Sequence, residues 1–263
     1  MMTPQLYYYD MGPQVTAFST TRHGGCSIGN YASFNINRYC GDDESHIAAN
    51  RQALLQVLNV SDERLVMPHQ THETRVLPVD EVLLTMPMEE RQAVLEGVDA
   101  LVTRLSDVCI GVSTADCIPV LLSDVEHHAV AAIHAGWRGT VQRIVEKAVQ
   151  TMVSVYGTRP EQLVAQIGPG ISLDSFEVGD EVMEAFRNEG FSMSAISKRY
   201  PAKWHIDLPE CNRLQLMTAG VPEQNIRCAD VCTYQQHNDF FSARRLGIRS
   251  GRIFTGIVRH ESH

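Results

Sequence analysis

The 263-residue sequence lacks an excess of positive charge, and it has no hydrophobic run long enough to cross a bilayer. Lysine and arginine total 22 residues against 31 aspartates and glutamates, so the formal net charge is −9. Such a chain lacks the broad positive surface that binds nucleic acid or anionic membranes. We therefore expect no nucleic-acid or membrane partner. Because the first residues show no basic region followed by an apolar one, we also expect a cytoplasmic protein.

Cysteine is too sparse and too irregularly spaced for a disulfide framework. The chain has seven cysteines, an odd number scattered over its whole length. Secreted domains that depend on disulfides have denser, regularly spaced cysteines. We therefore expect reduced thiols, most of them small core residues and one with a chemical role.

Apolar segments dominate the middle of the chain. Between about residues 98 and 134, the segments VDALVTR, VCIGVST, CIPVLLSD and HAVAAIHA predict strands. Apolar residues at helical spacing then predict an amphipathic helix of about four turns: Val141, Ile144, Val145, Ala148, Met152 and Val155. Strands cluster without the regular alternation with helices that a doubly wound sheet requires. We predict a single α+β domain over residues 1–263.

The segment from Cys117 to His134 predicts a β-hairpin that brings a thiol to an imidazole. With the turn at Val125 and Glu126, Cys117 and His134 lie directly opposite each other, with Cβ atoms about 4.5 to 5.5 Å apart. From that separation the two side chains can reach one metal ion or each other. Pro119, which cannot donate to a strand ladder, is typical of an edge or a bulge, and a slip of one residue would separate the pair.

A third candidate ligand lies in the segment MPHQTHETRV, which contains His69 and His72. Two imidazoles and one thiolate suit zinc and leave its fourth position open, as in a catalytic site. With His69 as a fourth ligand the site would instead be closed and structural. Asp116, beside Cys117, is a candidate to orient a ligand or to transfer a proton, and the alternative is that it caps a turn.

Six ordered blocks make the sequence resemble the laccase-domain family, also called the YfiH-like polyphenol oxidase family or the family of multifunctional purine nucleoside enzymes. The blocks are HQTHETRV, GVDALVTR, STADCIPVLL, AAIHAGWRGT, IGPGIS with FEVG, and CTYQQHNDFFSARR with GR. The resemblance begins at TTRHGG and extends past residue 250. It implies a single layered α+β domain with mixed β-sheets and flanking helices.

The resemblance also implies a zinc site formed by His72, Cys117 and His134. It implies phosphorolysis of adenosine, inosine, guanosine and methylthioadenosine to the base and ribose 1-phosphate or methylthioribose 1-phosphate, and deamination of adenosine to inosine. The expected partners are thus small purine nucleosides and phosphate. One departure is visible, because Glu73 follows the ligand histidine where the family often has glycine, which bears on the shape of the pocket.

Other functions compete with this interpretation. Copper-dependent polyphenol oxidation is the family's older assignment, but a multicopper oxidase needs several His-x-His pairs, and the 11 histidines here include none. Binding of Cu²⁺ in place of zinc at the His₂Cys site remains an alternative. A metal-free hydrolase would use His134 to activate Cys117 as a nucleophile. A structural zinc in a binding module is the non-enzymatic alternative.

Phosphate binding requires cationic side chains, and the guanidinium group of arginine is well suited to it. The candidates in the family blocks are Arg22, Arg138, Arg244 and Arg245, with Arg22 and Arg244 preferred, and Gln70 is a further candidate for substrate binding. For each arginine, a surface or packing role is the equal alternative. Asp116 is the candidate for protonating the amine that leaves in deamination.

Overall fold

The apolar segments in the middle of the chain form central strands that are covered on both faces. In the computed structural model, which describes residues 3–201 and 203–261, every residue of Ala100–Thr103, Cys109–Thr114, Ile118–Asp124 and Ala129–Ala135 is buried. Strands with two covered faces have continuous apolar runs instead of alternating ones. The sequence prediction of strands in this region is confirmed.

Within the described residues, the strands in chain order are β1 (Leu6–Tyr9), β2 (Val15–Thr20), β3 (Leu65–Val66), β4 (Val76–Pro78), β5 (Ala100–Thr103), β6 (Cys109–Thr114), β7 (Ile118–Asp124), β8 (Ala129–Ala135), β9 (Val164–Ile167), β10 (Glu177–Val178), β11 (Ser197–Arg199), β12 (Trp204–Ile206), β13 (Ile226–Cys228) and β14 (Ile253–Arg259). The α-helices are α1 (Glu44–Leu58), α2 (Glu81–Thr85), α3 (Met88–Leu95), α4 (Trp137–Val141), α5 (Ile144–Tyr156), α6 (Asp180–Asn188), α7 (Met193–Ile196), α8 (Leu208–Thr218) and α9 (Ala243–Leu246). None of these helices is long and apolar enough to span a membrane.

The strands form two large mixed sheets and one small sheet. The first large sheet has the order β1-β2-β14-β6-β3, the second has the order β13-β9-β7-β8-β5-β4, and β10-β12-β11 form the small one. Each large sheet combines antiparallel pairs with parallel ones, which are β3 with β6 in the first sheet, and β4 with β5 and β9 with β13 in the second. Mixed sheets with interspersed helices confirm the α+β prediction.

The core lies in layers on both faces of the second large sheet. Leu101, Leu121 and Ala132 face the first sheet and pack with its Ile110 and Val112. The opposite face packs against α5 and α8, and α1 covers the outer face of the first sheet. The two sheets thus share an apolar interior, and polar side chains such as His134 collect where the strands end.

The predicted four-turn helix is broken in the structure. Val141 ends α4, Arg143 adopts a left-handed conformation with φ of +65°, and α5 begins at Ile144. The Arg143 guanidinium donates to the Glu189 carbonyl at 2.7 Å and lies 3.8 Å from the centre of the Phe191 ring. Contacts to a distant segment therefore hold the break.

The β7–β8 hairpin forms, but the predicted register is wrong by two residues. His134 pairs with Pro119, not with Cys117, and the turn takes four residues, 125–128. Because side chains alternate with a period of two, a shift of two residues keeps every side chain on the same face of the sheet. Cys117, one residue before β7, is therefore diagonal to His134 and still on its side of the hairpin.

Candidate metal centre

His72, Cys117 and His134 converge on one point although they lie on three separate segments. Their candidate ligand atoms all lie within 4.8 Å of one another, and no other such group of His, Cys, Asp and Glu side chains occurs among the described residues. His134 is buried at 3% exposure, Cys117 is partly buried and His72 is exposed. The three residues expected to bind metal are thus brought together where the central strands β7 and β8 of the second sheet begin and end.

Asp99, a residue that the sequence analysis missed, positions two of the three ligands. Its fully buried carboxylate accepts a hydrogen bond from His134 Nδ1 at 2.6 Å. The same carboxylate accepts the backbone N–H groups of Thr71, His72 and Glu73 at 3.0–3.2 Å. Because Nδ1 of His134 is engaged, its Nε2 is left to bind a metal.

The backbone is unusual on either side of this cluster. His72 has a φ of +66° and Asp116, next to Cys117, has a φ of +89°. Positive φ is costly for residues with a side chain and persists where the surroundings enforce it, often at functional sites. For His72, the surroundings include the Asp99 carboxylate bound to three consecutive amides.

A test of whether these residues fit a metal comes from Gly136, which follows β8. A Cβ atom at this position would lie 2.9 Å from Cδ2 of His72, 3.2 Å from Sγ of Cys117 and 3.6 Å from Cε1 of His134. The φ of Gly136 is −66°, so its backbone does not require glycine. The missing side chain leaves room for the three ligand side chains to meet, and the His₂Cys donor set is one that zinc and copper accept.

The cluster is also electrostatically coupled. Burial raises the pKa of the Cys117 thiol, but the adjacent His134 and His72 imidazoles outweigh burial and lower it to about 6. Burial lowers the pKa of His134, but the Cys117 thiolate and the Asp99 carboxylate raise it to about 9. Without metal the pair therefore exists as thiolate and imidazolium at neutral pH, and a metal replaces the imidazolium proton.

A cavity of about 240 Å³ opens onto the three ligands. Its lining is mostly polar and includes Asn37, Tyr39, Ser113 and Arg252. Thr114, 1% exposed, also lines it, and its buried hydroxyl has no hydrogen-bond partner among the described residues. A buried hydroxyl without a partner is costly, so this atom suits a site that a water or a substrate fills.

The residues flanking His72 stabilise the loop that carries it. His69 lines the cavity, but it does not belong to the group of ligand atoms that lie within 4.8 Å of one another; its Nδ1 pairs with Glu96 at 2.7 Å, and its ring centre lies 3.9 Å from that of Tyr39. The Gln70 amide both donates to and accepts from the backbone of Ser113 at 2.8 Å, which ties this loop to β6. The role of Gln70 in substrate binding stays a prediction.

Asp116 uses both carboxylate oxygens to bind other segments. Oδ1 accepts the Thr233 hydroxyl and Oδ2 accepts the Arg244 backbone N–H, each at 2.7 Å. These contacts correspond to the structural alternative considered from the sequence, in which Asp116 fixes a turn. Asp116 directly precedes Cys117 in the chain. Its role as a proton donor stays a prediction.

The four arginines proposed for phosphate lie outside the cavity lining, and one of them, Arg245, lies 4.9 Å from the centre of the Tyr234 ring. Arg22 donates through Nε and Nη1 to the carbonyls of Ala32 and His237. Arg244 donates to the Glu177 carbonyl at 3.1 Å, and Arg138 lies 4.2 Å from the centre of the Trp137 ring. The arginine that does line the cavity, Arg252, donates to nearby backbone carbonyls.

Two signals in the sequence could have identified the missed residues. Asp99 immediately precedes a fully buried strand in the block GVDALVTR, and an acid in that position needs a buried partner. Arg252 belongs to the GR pair that carries part of the family resemblance.

Comparison with known proteins gives consistent matches over nearly the whole chain. Residues 16–260 match a family model described as multi-copper polyphenol oxidoreductase laccase. A purine nucleoside phosphorylase of Bacteroides thetaiotaomicron is 51% identical over 249 residues, which cover 94% of this chain and 92% of the relative. Adenosine deaminase RL5, from an unknown prokaryotic organism, is 48% identical over 247 residues, 93% of this chain and 94% of the relative. The crystal structure of the hypothetical protein YfiH of Bacillus licheniformis superposes with a TM-score of 0.89 at 29% identity, covering 98% of this chain and 97% of that one.

Proposed function

The chain belongs to the multi-copper polyphenol oxidoreductase laccase family, and we propose that it is a zinc-dependent purine nucleoside enzyme. The proposed reactions are phosphorolysis of adenosine, inosine, guanosine and methylthioadenosine, and deamination of adenosine to inosine. Two relatives about half identical to this chain are named for nucleoside phosphorolysis and for adenosine deamination. Such similarity over more than nine-tenths of the chain supports nucleoside processing.

The observation that carries the proposal is the open His₂Cys cluster. Three protein ligands facing a cavity are typical of catalytic zinc, whereas structural zinc has four. His69, the candidate for a fourth ligand, lies outside the group of ligand atoms within 4.8 Å of one another. We therefore favour a catalytic centre over a structural one.

When bound, zinc supplies a Lewis acid that makes water a nucleophile near neutral pH. Asp99 fixes the His134 ring so that Nε2 faces the cavity, and it holds the loop of His72 in place. In deamination, water adds at C6 of the purine and the 6-amino group departs as ammonia after protonation. We propose that Asp116 takes up a proton from the attacking water and passes it to the departing amine, through Thr233 or a water near Cys117.

In phosphorolysis, a phosphate oxygen bonds to C1′ of the ribose while the bond from C1′ to the base breaks, and the base takes up a proton. The protein must align phosphate with C1′ and neutralise its charge. Arg22, Arg138, Arg244 and Arg245 remain the candidates taken from the sequence. Of these, Arg138 and Arg245 have no side-chain hydrogen bond among the described residues, so their donors are available.

The test is product analysis with defined metal content. Zinc-loaded protein is incubated with adenosine, with and without phosphate, and inosine, adenine and ribose 1-phosphate are measured by mass spectrometry. Cys117→Ala is expected to abolish product formation. Cys228→Ala, at an exposed cysteine that does not line the cavity, is the matched control. No product from the zinc-replete, folded wild type would refute the proposal.

The competing functions give different outcomes in the same preparation. A polyphenol oxidase would require copper and would consume oxygen with a phenol substrate. One three-ligand cluster among the described residues falls short of the several copper sites of a multicopper oxidase. A metal-free hydrolase would be most active without metal, because zinc coordination quenches the Cys117 nucleophile.

A further inference from the structure

A second cavity lies beside the metal centre and shares a wall with it. This cavity has a volume of about 260 Å³, and Tyr39 lines both cavities. Tyr39 stacks on His69, which lines only the metal cavity, with ring centres 3.9 Å apart. The wall between the two cavities is therefore an aromatic pair, and its Tyr39 member is 42% exposed.

The second cavity holds three arginines, of which one is already neutralised. Arg51 forms an ion pair with Asp62 and donates to the carbonyls of Asp62 and Leu65 at 3.1 Å. Arg38 and Arg91 have no side-chain hydrogen bond and no ion pair with any described residue. Two guanidinium groups are thus available for a ligand.

The environment of Arg91 makes an anionic ligand favourable. Arg91 is partly buried, and burial lowers the pKa of its guanidinium. Asp62 and Glu63 act on it only at longer range, and their carboxylates are engaged elsewhere, Asp62 by Arg51 and Glu63 by Ser61. A partly desolvated guanidinium without a partner gains more from an anion than one in water does.

Besides Tyr39, the arginines, Asp62, Glu63 and Gln92, the lining is apolar. Leu65, Leu84 and Leu95 are buried, and three methionines complete the floor and rim. Sites for small molecules typically measure about 300–1,000 Å³, so each cavity alone falls below that range, whereas the two together fall inside it. A ligand that spans both cavities would place its uncharged part at the metal centre and its anionic part at Arg38 and Arg91.

We propose that Arg38 and Arg91 form a phosphoryl-binding subsite. The phosphoryl group of the ligand binds there, in the second cavity, on the other side of the Tyr39–His69 pair from the metal centre. The phosphoryl group comes either from a nucleoside 5′-monophosphate or from the inorganic phosphate used in phosphorolysis. This inference rests on the proposed nucleoside function for the ligand class. The subsite itself follows from the two unpaired guanidinium groups and the shared wall.

Calorimetric binding to zinc-loaded protein tests the subsite without catalysis. Inosine 5′-monophosphate is compared with inosine in phosphate-free buffer, where neither loses a 6-amino group nor undergoes phosphorolysis. Inorganic phosphate is titrated separately. The variants are Arg38→Gln, Arg91→Gln and their combination. The control is Arg159→Gln, whose guanidinium pairs with Glu126 at 2.6 Å and lines neither cavity.

We expect wild type and the Arg159→Gln control to bind the phosphorylated probe at least about tenfold more tightly than the uncharged one, and the double variant to lose that preference. If the double variant binds inosine 5′-monophosphate more weakly than wild type does, the subsite takes the 5′-phosphate of a nucleotide. If only the affinity for inorganic phosphate falls in the double variant, the subsite takes the phosphate co-substrate. Equal binding by wild type and the double variant for both probes overturns the proposal. Because binding is read without turnover, that result leaves the nucleoside chemistry to its own test.

Discussion

Replacing Asp99 with asparagine tests whether one buried carboxylate organises the metal centre. Oδ1 accepts from His134 Nδ1 and His72 N–H, and Oδ2 accepts from the N–H groups of Thr71 and Glu73. Asparagine has one oxygen and one NH₂ group in these positions. Either orientation places a donor against two existing donors, so the substitution cannot satisfy all four hydrogen bonds.

The two orientations have different costs. With the NH₂ group at the Oδ2 position, the partly buried amides of Thr71 and Glu73 lose their acceptor, at about 1 kcal/mol each. With it at the Oδ1 position, His134 can accept at Nδ1 only by moving its proton to Nε2, the atom needed by the metal. Loss of a carboxylate behind a histidine ligand typically weakens metal affinity by about 10–100-fold. We expect Asp99→Asn to reach that range and to lower the free energy of unfolding.

The matched control is Asp124→Asn. The Asp124 carboxylate is also buried, and it also accepts from a histidine, His127, and from the backbone amides of Glu126 and His127, at 3.0–3.1 Å. Both variants should lower the melting temperature, but only Asp99→Asn should weaken zinc binding in competition with a chelator. Wild-type zinc affinity in a folded Asp99→Asn protein would refute the role assigned to this carboxylate.

Three other changes probe the same centre. Gly136→Ala places a methyl group 2.9 Å from the His72 ring, and it should leave the protein folded with less than stoichiometric zinc, as measured by elemental analysis; full occupancy would contradict the crowding argument. In metal-free protein the pKa values of Cys117 and His134 lie near 6 and 9, so between them zinc displaces one proton. Zinc affinity should then rise about tenfold per pH unit across that interval and level off above it in chelator titrations, whereas a flat profile would exclude the ion pair. Asp116→Asn should slow deamination by about 10²-fold or more and spare phosphorolysis if this residue supplies the proton, and equal loss of both activities would indicate a purely structural role.

The β7–β8 hairpin, which carries two of the ligands, shows which features of a hairpin a sequence pattern can predict. Side chains alternate with a period of two, so an error of two residues in the predicted register still left Cys117 and His134 on the same face. The register depended on the turn, which no Asn-Gly or Asp-Gly pair marks. Instead, His128 adopts a φ of +53° in the turn, a conformation that the local sequence does not predict.

The break before α5 has a different cause. The apolar spacing from Val141 to Val155 fits one helix, and local propensity gives no reason to interrupt it at Arg143. The interruption is held by the Glu189 carbonyl and the Phe191 ring, about 46 residues further along the chain. Such contacts exist only once the fold is formed, so the helix boundary could not be predicted from the local pattern.

The candidate site shows the same division between local and tertiary information. Histidine and cysteine are rare and chemically specific, so His72, Cys117 and His134 could be selected from motifs alone. Arginine is common, and the sequence does not show whether its donors are already used. Arg22 lies in a family block, yet backbone carbonyls occupy it, whereas Arg38 and Arg91 lie outside those blocks and have no partner among the described residues. A cation is therefore available to a substrate only when the fold leaves it unpaired, and that property of Arg38 and Arg91 is what makes a phosphoryl ligand the expected occupant of their cavity.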